Sequence, residues 1–186
     1  MNAISQRDSP GPATTPIRVI LPVLMLAVFT ISLGIGIMLP QLPALVERLL
    51  ADATPAQIAR ATGLLTAIYM LALFICAPVW GWLSDTWGRR RMLLLGLTGF
   101  CATMIASVLF DTLAAIYVGR ALTGIFAAAI TPVALAAVTD MSSGKKTLGR
   151  RLSFVSMAGI SGFLFGPTLG VVLQRLPGGT GVQSGY

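Results

Sequence analysis

The sequence predicts an all-α fold, a polytopic membrane helical bundle of five transmembrane helices. Of 186 residues, 55% are hydrophobic and 10% charged, with a mean hydropathy of +0.85. A soluble domain carries about a quarter charged residues, so this composition belongs in lipid. The apolar residues gather into five runs, about 18–42, 61–83, 92–110, 113–138 and 152–174. Each is close to the roughly 20 residues a helix needs to cross a bilayer. The charges fall in the short connections between them.

Residues 1–17 are rich in Ser, Pro, Thr and Gly and read as a disordered tail. The first apolar run is too long for the core of a removable leader and reaches Pro40 and Pro43 without a clear cleavage site. It reads as a retained span. Within it Gly34 removes side-chain bulk, and Pro40 cannot donate the helical hydrogen bond its position calls for. Such a break is tolerated where a helix lines a cavity or leaves the bilayer.

The second and third runs flank Gly81-Trp82-Leu83-Ser84-Asp85-Thr86-Trp87-Gly88-Arg89-Arg90-Arg91, a hairpin loop at a membrane face. Gly88 can adopt a left-handed turn, Asp85 offers an acceptor, and Arg89 and Arg90 open the next helix. Gly81 and Asp85 are four apart and share one helix face, so a neighbouring helix is expected to approach over Gly81 and offer amides or a guanidinium to Asp85. An acid satisfied in one packing and stranded in another is a conformational latch.

The fourth run contains Arg120, whose charge costs about 2.5–3.5 kcal/mol near a span centre and should therefore face the bundle interior or water. Helical spacing places Gly124, Ala127, Ala128, Thr131 and Leu135 on its face. The alternative is a shifted span in which Arg120 snorkels to the outer interface. The run ends at Asp140, which either pairs with Arg89 or Arg90 across the bundle or serves as a solvated cap. In the fifth run Gly159, Gly162, Gly166 and Gly170 share one face, and Pro167 predicts a kink there. Small faces of this kind let helices slide, or simply pair. Residues 177–186 form a glycine-rich tail too short for another crossing.

With the N-terminus inside, Arg7, Arg18, Arg89, Arg90, Arg91, Lys145, Lys146, Arg150 and Arg151 face the cytoplasm, against Arg48, Arg60 and Arg175 outside. A multi-pass protein of the cell (inner) membrane with its C-terminus outside is expected. The net charge of +7 is thereby a topology signal rather than a nucleic-acid-binding face, and the run from Lys145 to Arg151 attracts anionic lipid. The absence of histidine removes His-based metal sites and Ser-His or Cys-His catalysis. Cys76 and Cys101 lie within spans and act as small apolar residues. Asp85 and Asp140 are isolated carboxylates, no metal-binding set occurs, and no nucleotide signature appears, so neither enzyme chemistry nor a cofactor is expected.

The pattern Gly-x-x-x-Asp-x-x-Gly-Arg-Arg at 81–90 resembles the cytoplasmic signature loop of the major facilitator superfamily of secondary transporters. Leu-Gly…Pro-x-Leu-Pro at 33–43, Arg-x-x-x-Gly at 120–124 and Gly-x-x-x-Gly-Pro-x-x-Gly at 162–170 resemble motifs of the first, fourth and fifth spans of its twelve-span drug–proton antiporters. Val171 stands where the fuller fifth-span pattern has another glycine. The resemblance covers nearly all of 18–174 and implies most of the N-terminal half of a two-half transporter, completed by missing C-terminal helices or a second chain. It implies a role for Arg120 in proton transfer and for Asp140 in a charge relay with the loop. It also implies proton-coupled efflux of small molecules or drugs, with protons, a small-molecule substrate and membrane lipids as partners. Tetracycline efflux proteins are similar in outline, but Ile31 and Thr103 occupy the positions of their intramembrane acids and hold no proton. Another drug, a sugar or a metabolite fits as well. The competing reading is a truncated or non-transporting membrane protein that acts only as a helix-packing partner.

Overall fold

A computed structural model describes residues 17–50, 52–109, 112–142 and 144–175, and every regular element among them is helical. The expected tails at 1–17 and 177–186 lie outside the described residues except for Ile17, which opens the first helix. The helices are α1 (Ile17–Met38), α2 (Leu42–Leu49), α3 (Pro55–Trp87), α4 (Arg89–Ala106), α5 (Leu113–Ala127), α6 (Ile130–Asp140) and α7 (Lys145–Arg175). Short 3₁₀ turns at Leu39–Gln41 and Ser107–Leu109 follow α1 and α4.

Local chemistry sets these boundaries. Pro40 cannot continue the α-helical ladder, so the chain tightens, and the Leu42 N–H bonds to Leu39 O. The sequence reading ends the first span here; instead the chain turns into the short amphipathic α2, which buries Leu42 and Val46. Thr54 caps α3: its hydroxyl accepts from the Gln57 N–H, while Gln57 Oε1 accepts from the Thr54 N–H at 2.8 Å. Thr112 caps α5 through the Ala115 N–H. Gly88 alone separates α3 from α4, and its φ of +93° is open only to glycine without strain.

Among the described residues four segments are long and apolar enough to cross a membrane: Val19–Leu49, Pro55–Trp87, Leu113–Asp140 and Lys145–Val172. At 33 residues α3 is about 50 Å long, beyond the roughly 30 Å hydrocarbon core. The third predicted run is a shorter rod, because α4 opens with three arginines and the helix gives way to a 3₁₀ turn after Ala106. The fourth is two helices rather than one, broken at Ala128–Ala129 inside the core. Pro132, in the first turn of α6, lacks the N–H that would bond Ala128 O, so a continuous helix would carry a gap there.

The most extensive contact joins α1 to α7, and α3 packs next most closely on α5. Leu24, Val28, Ile31, Tyr69, Phe100, Ile130 and Val133 centre the main core. A second cluster, Leu42, Val46, Ala61, Leu65 and Ile116, seals α2 over α3 and α5. The outer surface is apolar, with Phe74 77% and Leu164 69% exposed. Such a surface aggregates in water and is at rest in lipid. The chain is a membrane protein.

Candidate functional site

Three constellations stand out. The first gathers at the α3–α4 corner, where Gly88 reverses the chain. Arg89 Nη2 lies 2.7 Å from Asp85 Oδ1, and its Nε lies 3.1 Å from Asp140 Oδ2 at the end of α6. Nη1 donates to Ser84 Oγ, which in turn donates to Gly81 O at 2.7 Å. One guanidinium therefore ties together the ends of three helices. Asp85 and Asp140 are more than half exposed, so each pair contributes about 0.2–1 kcal/mol at most. The cluster fixes geometry more than it stabilises. Arg90 is exposed and joins no ion pair among the described residues.

Gly81 departs from expectation. A Cβ built there meets nothing within 4 Å, so no helix of the described residues lies over it. The buried partner at this corner is Ser84, 1% exposed, which the sequence reading passed over. Arg151 also departs from the lipid-facing role given to its run: it donates to Met141 O at 2.8 Å and Ser142 Oγ at 3.1 Å, capping the end of α6.

The second constellation lies between α3 and α5. Arg120 is 2% exposed, and its guanidinium carbon sits 4.9 Å from the centroid of the Tyr69 ring. The side chain points inward and does not snorkel. A desolvated cation–π contact is worth about 2 kcal/mol, which offsets much of the cost of placing the charge in the bundle. Gly124 permits this approach: a Cβ there would stand 2.5 Å from Tyr69 O and 3.0 Å from Ala72 Cβ. Among the described residues Arg120 Nε and the Tyr69 hydroxyl have no hydrogen-bond partner. Of the predicted small face, Ala127 and Ala128 are buried, but Thr131 is exposed and Leu135 only half-buried. The break at Ala128–Ala129 shifts the helical phase beyond it.

The third is a glycine seam between α1 and α7. A Cβ on Gly166 would fall 2.5 Å from Gly36 Cα, and one on Gly162 would fall 2.5 Å from Phe29 O. Gly159 meets Val28 Cγ1 at 3.2 Å, and Gly170 meets Gln41 Nε2 at 3.0 Å. Pro167 does not interrupt α7, but it deprives Phe163 O of its helical donor, and that carbonyl lies against Gly36. Gly36 is the seam residue that sequence reasoning missed. Gly34 faces the Phe100 ring of α4 instead, and Pro40 is exposed in its 3₁₀ turn. Ile31 is buried in the core, and Thr103 donates its hydroxyl to Phe100 O at 2.9 Å. Neither offers a free polar group.

Fold and corner cluster together define a polytopic helical membrane protein with a charged turn binding its helix ends. Residues 24–179 match the Major Facilitator Superfamily, and the chain belongs to that family of transporters. It is 30% identical over 164 residues to Multidrug resistance protein 1 of Bacillus subtilis (strain 168), covering 86% of this chain and 40% of that protein. It is 33% identical over 150 residues to Tetracycline resistance protein, class C, of Escherichia coli, covering 78% of this chain and 37% of that one. The Bacillibactin exporter of Bacillus subtilis (strain 168) is 30% identical over 148 residues, with 76% and 35% covered. The chain thus spans 35% to 40% of the length of these relatives.

Proposed function

We propose that this chain forms the N-terminal bundle of a secondary active exporter that moves small molecules out of the cell against an inward flow of protons. The observation that carries the reading is Arg89 bridging Asp85 on α3 and Asp140 on α6. Its bonds join helix ends that must separate if the bundle opens at that face, and they are weak enough to break in each cycle. Gly81, Asp85, Gly88, Arg89, Arg90 and Asp140 form the latch on this reading. Arg120 and Gly124 govern proton or substrate passage, with Arg120 acting through Tyr69 from inside the bundle. The seam of Gly159, Gly162, Gly166 and Gly170 with Pro167, and Gly34 and Pro40 on α1, supplies the surface along which α7 rocks. On this reading the protein sits in the inner membrane with its N-terminus in the cytoplasm and its C-terminus outside. That orientation is supported by the excess of basic residues in the loops assigned to the cytoplasm, with Lys145, Lys146 and Arg150 near anionic lipid. The protein is a carrier rather than an enzyme and needs no cofactor. Its substrate site requires helices beyond this bundle, from the same polypeptide or a second chain.

The test is reconstitution. The chain is fused to the C-terminal half of Multidrug resistance protein 1 and placed in vesicles with an imposed proton gradient. Gradient-dependent movement of a fluorescent dye, abolished by an uncoupler, supports the reading; none, with correct insertion shown by protease protection, refutes it. The wide apolar faces of α3 and α7 favour one second reading, a non-transporting helix-packing partner. That reading predicts co-purification with another membrane chain and no gradient-driven movement.

A further inference from the structure

We infer that the fourth crossing segment is hinged at Ala128–Ala129 and that the Trp80 indole is the catch of that hinge. In a continuous helix Ile125 O would accept the Ala129 N–H. Here the Ala129 N–H bonds Phe126 O at 3.2 Å, and Ile125 O accepts the Trp80 Nε1–H at 2.8 Å, from a different helix. The carbonyl therefore has two possible donors. In the interrupted form seen here it takes the indole; in an unbroken helix it would take its own backbone. Either way it stays satisfied at membrane depth, where an orphaned carbonyl costs several kcal/mol. An exchange of donors on one carbonyl gives the segment two discrete arrangements, and the present one is favoured because straightening strands the indole N–H.

Two further features are built around the same point. Pro132 supplies no N–H to Ala128 O, so straightening never regains a full ladder. On α4, Gly96 and Gly99 leave the room in which the turn sits. A Cβ on Gly96 would stand 2.6 Å from Ala129 Cβ, and one on Gly99 would overlap the Phe126 ring. The hinge has separate loads on its two sides. Below it, α6 ends at Asp140, held by Arg89; above it, α5 is fixed to α3 at Gly124, beside Arg120. Release of Arg89 thus frees α6 to swing about Ala128–Ala129 while the Arg120–Tyr69 contact stays in place.

The test uses the full chain in lipid nanodiscs and reads no transport. Trp82→Phe with Trp87→Phe leaves Trp80 as the remaining one of three tryptophans, and its resonance Raman N–H band reports hydrogen bonding. A hydrogen-bonded band is expected; a free indole band overturns the inference, and this measurement leaves Trp80 untouched. Spin labels at Leu122→Cys on α5 and Thr139→Cys on α6, in a Cys76→Ala, Cys101→Ala background, report the angle between the two halves. Trp80→Phe keeps the ring and deletes the donor, and should shift the interrupted-to-unbroken ratio by roughly tenfold toward the longer distance. An unchanged distance distribution overturns the inference. The proposed exporter function can fail while both results stand, and the reverse.

Discussion

Arg89 and Asp140, 51 positions apart in sequence, meet at 3.1 Å and close the ends of α4 and α6 on each other. The same guanidinium holds Asp85 at 2.7 Å. Because both acids share one cation, their effects cannot be independent. In the fused transporter, Asp85→Asn and Asp140→Asn should each cut proton-driven dye movement by about two- to fivefold, and the loss in the double variant should be less than the product of the two. Thermal unfolding of either should move by no more than a few tenths to about 1 kcal/mol, the scale of an exposed pair. Multiplicative effects on rate would show that Arg89 does not couple them.

The glycine seam predicts a graded series. Gly166→Ala and Gly162→Ala push a methyl into backbone atoms of α1, which cannot move aside, and should destabilise the bundle by about 1–3 kcal/mol. Gly159→Ala and Gly170→Ala meet side-chain atoms first and should cost well under half of that. Unfolding of the purified chain in mild detergent, followed by circular dichroism, ranks the four. Equal losses would contradict the close backbone contact at Gly36.

Tyr69 separates packing from chemistry. Its hydroxyl is buried without a partner, so Tyr69→Phe should leave stability unchanged or raise it by about 1 kcal/mol while keeping the ring under Arg120. Tyr69→Ala opens a cavity, removes the cation–π contact and should lose about 3–5 kcal/mol. Arg120→Met should fold at least as well as the parent, since it removes a costly charge, yet lose proton-driven movement in the fused transporter. A folded Arg120→Met protein with full transport would remove Arg120 from the mechanism. Denaturant titration and the dye assay on the same preparations check all three.

Gly88 and Gly81 lie seven residues apart and should behave oppositely. Gly88→Ala forces a side chain onto a φ of +93° and should cost about 1–3 kcal/mol despite the open space around it. Gly81→Ala meets nothing and should leave the stability of this chain untouched. Loss of dye movement by Gly81→Ala in the fused transporter would then report a contact made by the added helices.

What the sequence reveals is whatever a single helix, or the chemistry of one residue, decides. The apolar runs are of this kind, as are the acid and arginines around Gly88 and the glycine face of α7. What it hides depends on neighbours. Nothing in α2 looks like a span or a loop, because eight amphipathic residues that follow Pro40 and include Pro43 make sense only against Ala61, Leu65 and Ile116. The break at Ala128–Ala129 is within reach of the sequence, because Pro132 in the middle of the fourth run withholds the N–H that Ala128 O needs, but its place depends on Trp80 of α3 taking up Ile125 O. Ser84, Tyr69, Trp80 and Gly36 carry ordinary residue types; only their partners on other helices mark them.

The pairing of α1 with α7 also bears on biogenesis. The two helices are separated by about a hundred residues, since α1 ends at Met38 and α7 begins at Lys145. During synthesis the first rod enters the bilayer long before its principal mate leaves the ribosome. Until then Gly36 and its neighbours face acyl chains or the insertion machinery, with no complementary surface available. Ribosome stalling short of α7 should therefore leave α1 free to be captured by crosslinkers to insertase components, and release through Arg175 should end that capture.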